Sequence, residues 1–220
     1  MQALGRTGSK NVTATTVIRE LAALGALLAS YPLDAVARRA PTLVWGNPEE
    51  PVILVHGFGG DRSNLLAMAS YLRLSGFDNL RYFEYPRRQP ITVSAMKLGS
   101  LVDEIAGPVG GAHIVGHSLG GTIGRLYATT ARRGAVRSLV TLGSPYLYGH
   151  WASRELAIYG DEDPIVPPPP AEAIVNAFAM GRRTVVENTG HLALAFHPEV
   201  LRITATELRA NRASVGAAAS

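Results

Sequence analysis

The sequence predicts an α/β fold with a mostly parallel sheet, and three observations carry the prediction. From Pro41 onward, short β-type runs alternate with helix-length segments. The run Pro51-Val-Ile-Leu-Val55 is continuously apolar, as a strand covered on both faces must be. Glycine-rich turns follow directly on two apolar runs, at His56-Gly57-Phe58-Gly59-Gly60 and at Gly116-His117-Ser118-Leu119-Gly120-Gly121. At 220 residues the chain has room for one domain with a real core.

Residues 1–14 are polar and small, with no hydrophobic period. From Thr15 to Tyr31 the apolar residues Val17, Ile18, Leu21, Leu24, Leu27, Leu28 and Tyr31 recur at spacings of three and four, which predicts an amphipathic helix stopped by Pro32. Three readings fit it: a helix packed on the main domain, a peripheral membrane anchor, or a signal peptide with a small-residue site at Ala35-Val36-Ala37. Glu20 and Asp34 sit awkwardly in a secretion signal. Strands are predicted at Leu43–Trp45, Val52–Val55, Leu80–Tyr85, Ala112–Val115, Val136–Leu142, Glu155–Tyr159 and Thr184–Val186. Helices are predicted at Ser63–Ser75, Thr92–Ala106, Leu119–Arg132, Ala171–Ala179 and Pro198–Arg212. The organisation is therefore an N-terminal segment (1–40), one α/β domain (41–212) and a disordered tail (213–220). Pro167–Pro170 reads as a stiff connection.

Composition excludes several function classes. There are no cysteines, which removes disulfides, thiolate catalysis and Cys-ligated zinc. No eighteen-residue apolar run is present. The net charge of +4 arises from nineteen arginines and two lysines against 17 acids. Those arginines are scattered in pairs without aromatic interleaving, so they read as solvated surface and no nucleic-acid partner is expected. Attraction to anionic lipid is a further use of such charge. There is no G-x-x-x-x-G-K-[ST], no G-x-G-x-x-G and no H-E-x-x-H, so neither a nucleotide nor a metal site is expected.

The chemistry-bearing pattern centres on Ser118. Directly after the apolar His113-Ile114-Val115, it matches G-x-S-x-G, a strand-turn-helix elbow whose small flanking residues let the backbone turn sharply under an exposed hydroxyl. A serine hydroxyl needs an imidazole to take its proton and a carboxylate to orient that imidazole. The chain offers both on later loops. Gly160-Asp161-Glu162-Asp163-Pro164-Ile165-Val166-Pro167 follows one predicted strand, and Asn188-Thr189-Gly190-His191-Leu192 follows the last. Loops at the carboxyl ends of parallel strands converge on one edge. His113 and His117, four residues apart, straddle a predicted strand and turn, which does not suit a helical metal pair.

On these motifs, in this order and over about residues 41–212, the chain resembles the α/β-hydrolases of the small bacterial lipase and esterase group. The resemblance implies a Ser118, Asp163, His191 triad, with Asp161 as the alternative acid. It implies an oxyanion hole from the backbone N–H groups of Leu119 and Phe58, with His56 and His117 as framework residues. His150 and His197 are expected at the surface or rim. Many relatives carry a lid after the strand that ends here at Leu142, but the segment Gly143–Trp151 is too short for a helical one. A minimal or absent lid is expected, with Phe58, Tyr146, Leu147, Trp151, Ile165 and Leu192 lining an open acyl groove. The implied activity is ester hydrolysis through an acyl-enzyme, on soluble short-chain esters and without cofactor or metal. An acyltransferase or thioesterase with the same triad, and a non-catalytic binding protein on this scaffold, are the alternatives. The implied partner is a small ester or lipid, with lipid-surface contact through the N-terminal helix. A cytoplasmic or membrane-associated location follows, or a secreted one if residues 1–37 are a signal.

Overall fold

The computed structural model describes residues 12–37, 50–107, 110–145, 155–169 and 182–212. Strand β1 (Val52–Val55) is wholly buried, and its unbroken apolar run places it inside the sheet. It pairs in parallel with β2 (Leu80–Phe83) on one side and with β3 (Ala112–His117) on the other. Beyond β3 follow β4 (Val136–Leu142), β5 (Glu155–Gly160) and β6 (Arg182–Val186), giving the order β2-β1-β3-β4-β5-β6 with every described pairing parallel. All carboxyl ends therefore share one edge. Strand order reverses between β1 and β3, and the crevice outside such a reversal is where open α/β sheets hold ligands.

The two sheet faces divide the core by residue parity. Val52, Leu54 and Val115 face α2 (Leu66–Leu74) and α5 (Pro198–Ala210). Ile53, Val55 and Ile114 face α3 (Ile91–Ala106) and α4 (Leu119–Thr130). The predicted helix Ser63–Ser75 is in fact a 3-10 turn at Arg62–Leu65 followed by α2. The cause is Asp61, whose carboxylate accepts from the Ser63 N–H at 2.8 Å and the Ser63 hydroxyl at 2.5 Å, tightening the first turn. Strand β3 extends through His117, two residues further than expected. The predicted strand Leu43–Trp45 and helix Ala171–Ala179 lie outside the described residues.

Helix α1 (Ala14–Ala37) departs from expectation twice. It runs through Pro32 instead of ending there. The ring forfeits one backbone hydrogen bond, at a cost of about 3 kcal/mol, but its fixed φ is itself helical, so the chain can continue. More consequentially, the apolar repeat does not face the domain. Thr16 and Ala23 are buried, whereas Val17, Ile18, Leu21 and Leu24 are exposed. The helix docks by its polar face because what it meets is the loop backbone at the carboxyl edge of the sheet, which offers N–H and C=O groups in place of apolar side chains.

Two buried polar pairs cross-link the core. Arg125 of α4 and Glu155 of β5, both fully buried, meet at 2.7 Å, and Thr141 donates to the same carboxylate at 2.7 Å. Arg125 also donates to the Pro145 carbonyl, fixing the chain just beyond β4. On β3, His113 shares a 2.7 Å hydrogen bond with the Ser138 hydroxyl, and burial lowers its pKa from the usual 6.5 to about 4.

Replacing Arg125 by Met should cost about 3–5 kcal/mol in urea unfolding, because Glu155 is left charged and unpaired, and adding Glu155→Leu should recover most of it. The lowered His113 pKa makes the unfolded chain bind more protons than the folded one between pH 4 and 6.5. Its contribution is therefore complete above about pH 6.5 and lost as pH falls toward 4. His113→Leu should flatten the fall in urea midpoint across that window.

Candidate active site

At the carboxyl end of β3, residue Ser118 takes φ 53° and ψ −121°, a left-handed conformation that is costly for any residue with a side chain. Its N–H is held by the Leu142 carbonyl at 2.8 Å, and its own carbonyl accepts from Gly121 N–H at 3.1 Å as α4 begins. The flanking glycines are a steric necessity. A Cβ on Gly120 would lie 2.2 Å from the Val55 carbonyl oxygen, and one on Gly116 would lie 2.5 Å from Gly121 Cα. The elbow thus sits against the end of β1, at the strand-order reversal. Leu119 is the first residue of α4, where backbone N–H groups have no intrahelical acceptor.

The loops after β5 and β6 supply the other two predicted side chains. His191 Nδ1 lies 2.7 Å from Asp163 Oδ2, with both residues buried. The second oxygen, Asp163 Oδ1, accepts the N–H groups of Ile165 and Val166, each at 2.8 Å. Three donors on one carboxylate fix its orientation. With Asp163 accepting, His191 carries its proton on Nδ1 and presents Nε2 as an acceptor. Asp161 turns to backbone instead, accepting the Thr189 N–H at 3.4 Å. Gly143, just past β4, packs into this couple: a Cβ there would stand 3.1 Å from Asp163 Oδ2 and 3.2 Å from His191 Nδ1.

His117 joins the serine to the histidine loop. Its Nε2–H donates to the His191 carbonyl at 3.0 Å, and the two rings lie 4.9 Å apart. Burial, reinforced by the His191 ring, lowers the His117 pKa to about 4, so it is a neutral framework group at pH 7. His56, at the end of β1, stacks flat on Tyr85 at 4.5 Å, and the Tyr85 hydroxyl donates to the His56 carbonyl. These contacts brace the start of the Gly57–Gly60 turn, which closes with a Gly60 N–H to Gly57 carbonyl bond of 3.2 Å. His197 is half-buried and caps α5 by accepting the Glu199 N–H.

Among the proposed pocket residues, Phe58 is 65% exposed on that turn and Ile165 is 66% exposed on the acid loop. Arg87 lies over the Phe58 ring at 5.4 Å. Leu192 is half-buried beside His191. Tyr146, Leu147 and Trp151, with His150, lie outside the described residues, as does most of the segment read as too short for a lid.

The sequence reading missed the polar face of α1. Glu20 accepts the N–H groups of Leu192 at 3.0 Å and Ala193 at 2.8 Å, the two residues after His191. It fits so closely that a Cβ on Gly190 would meet the Glu20 carboxyl carbon at 2.7 Å. Arg19 donates to the carbonyls of Glu187 and Asn188, and the Thr13 N–H donates to Glu162 beside Asp163. Both the acid loop and the histidine loop are therefore tied to one helix from the other end of the chain. The available signal was a carboxylate set in an otherwise apolar helical run.

Solved structures match this architecture over about three quarters of the chain. An α/β-hydrolase enzyme from the metagenome of lagoon sediments at Mar Chica, Morocco, aligns with a TM-score of 0.62 and 21% identity, covering 74% of this chain and 90% of that one. A thermophilic esterase from Thermogutta terrifontis aligns at 0.58 and 18% identity, covering 74% and 90%. A membrane phospholipase A described as a bacterial virulence factor aligns at 0.59 and 17% identity, covering 76% and 81%. No protein-family model matches the sequence, and comparison with curated protein sequences gives no match. At these identities the likeness is one of backbone. The chain has the α/β-hydrolase fold.

Proposed function

We propose that this chain is a serine hydrolase that cleaves carboxylic esters through an acyl-enzyme. The observation that carries the reading is the 2.7 Å contact between buried Asp163 and His191, on loops that border the strained Ser118 elbow. In this reading Ser118 Oγ attacks the ester carbonyl while its proton passes to His191 Nε2. Asp163, held by two backbone N–H groups, keeps the Nδ1–H tautomer and stabilises the imidazolium as it forms. The N–H groups of Leu119 and Phe58 receive the negative oxygen of the tetrahedral intermediate. The alcohol leaves with the proton from His191, and water then releases the acid by the same steps. His117, with its pKa depressed to about 4, adds no positive charge next to the base at pH 7.

Exposed Phe58 and Ile165 give the mouth of the site an apolar rim, which suits the acyl portion of an ester better than a charged substrate. The printed descriptions of an esterase and a phospholipase A among the structural neighbours point the same way.

Ser118→Ala should abolish fluorophosphonate labelling and p-nitrophenyl butyrate hydrolysis without changing the circular dichroism spectrum, and labelling that persists in the variant would refute the assignment. Asp163→Asn should lower kcat by about 10³–10⁴-fold with little change in KM. Asp161→Asn should stay within a few-fold of wild type, a contrast that tests the choice of acid directly. Glu20→Ala removes the acceptor for two backbone donors, and kcat should fall by about tenfold while KM holds. Glu20→Gln retains one carbonyl acceptor and should recover part of that loss.

A further inference from the structure

The described residues expose ten large apolar side chains, and they are not spread evenly over the molecule. Only Leu74, at the carboxyl end of α2, lies at the edge of the sheet away from Ser118. The others belong to α1 and to Val12 two residues before it, to the first two turns of α3, to the Phe58 turn and to the Asp163 loop at Ile165. On α1 the four side chains Val17, Ile18, Leu21 and Leu24 form one stripe, opposite the buried Thr16 and Ala23. Ile18 and Leu21 are 66% and 63% exposed. The inner face fixes where that stripe lies, because Glu20 and Arg19 tie the helix to the loops flanking His191.

Charge distinguishes among possible occupants of this face. Residues 1–40 hold Arg6, Lys10, Arg19, Arg38 and Arg39 against Glu20 and Asp34, which is three of the four net positive charges in the chain. Glu20 and Arg19 are both turned inward, to the Leu192 and Ala193 N–H groups and to the Glu187 and Asn188 carbonyls. Arg87 and Arg88 are exposed beside Phe58 on the same edge. A helix with an apolar stripe, within a stretch of sequence of net positive charge, matches the chemistry of an anionic bilayer surface, where apolar side chains enter the acyl boundary and arginines meet phosphates. Such a helix lies on the surface: no helix among the described residues is long and apolar enough to cross a membrane.

We propose that α1 and the neighbouring apolar rim form a docking face for an anionic lipid surface, which holds the mouth of the Ser118 site against the bilayer. Docking stands on the surface described here, whereas delivery of an ester from the lipid rests on the esterase reading. On that reading the ester would be presented to the site at an interface.

Co-sedimentation of the full chain with phosphatidylcholine vesicles, and with vesicles of phosphatidylcholine and phosphatidylglycerol in equal parts, tests docking apart from catalysis. The full chain should bind the mixed vesicles, bind phosphatidylcholine alone much more weakly, and be released in part by added salt. The surface double variant Ile18→Glu/Leu21→Glu should lose at least about tenfold in vesicle affinity. Its p-nitrophenyl butyrate turnover and thermal midpoint should match wild type, and Val17→Ser/Leu24→Ser gives a milder check on the same stripe. Equal binding by wild type and both variants, or no binding to anionic vesicles, overturns the proposal. So does a wild-type dimer in sedimentation equilibrium that the double variant converts to monomer, since a second copy would then cover this face. Vesicle binding with no ester turnover by wild type would leave docking intact and remove only the esterase reading.

Discussion

The φ of 53° at Ser118 is the constraint on which the arrangement of the site depends. A conformation of this kind costs about 1–3 kcal/mol and persists only where its surroundings leave no alternative. Here they leave none. The N–H is fixed by Leu142, α4 starts at the next residue, and Gly120 lies so close to the end of β1, and Gly116 to Gly121, that only glycine fits. Relaxing the backbone would swing the hydroxyl away from the edge where the other loops arrive. The Arg125–Glu155 pair enters at this point, because it pins α4 to β5 and holds the Pro145 carbonyl, and so keeps the β4 end in position. Buried ion pairs contribute little net stability, and this one is better understood as fixing register beneath a strained turn.

Asp163 and His191 are brought together by a different device. The loops that carry Asp163 and His191 are anchored in the core by Val166, Leu194 and Ala195, and hydrogen bonds set the two polar side chains. Asp163 is held by the N–H groups two and three residues ahead, and the residues after His191 are held by Glu20. The Nε2–H tautomer of His117, donating to the His191 carbonyl, adds a third restraint and ties His191 to the residue next to Ser118.

Much of this was legible in the sequence where local chemistry decides the outcome. An unbroken apolar run such as Val52–Val55 can hardly be anything but an interior strand, and Gly116 and Gly120 around Ser118 announce a turn that tolerates no side chain. What could not be read was set by partners distant in sequence. The period of α1 was correct, yet which face turns inward depends on meeting loop backbone instead of a hydrophobic sheet, and periodicity carries no sign. Arg125 and Glu155 were each visible as a charge in an apolar element, but their pairing spans 30 residues and a crossover. The 3-10 turn before α2 was missed because one side-chain cap, from Asp61, overrode helical propensity.

The contacts of α1 have a consequence for the order in which the protein acquires structure. Thr13 pairs with a residue 149 positions later and Glu20 with one 173 positions later, so these ties cannot form until the loops after β5 and β6 have been made. Contacts of such long sequence separation form late, after the sheet has ordered the loops they grip. The Asp163–His191 pair therefore gains its outer brace only when the segment from Thr13 to Glu20 closes on the loops it grips.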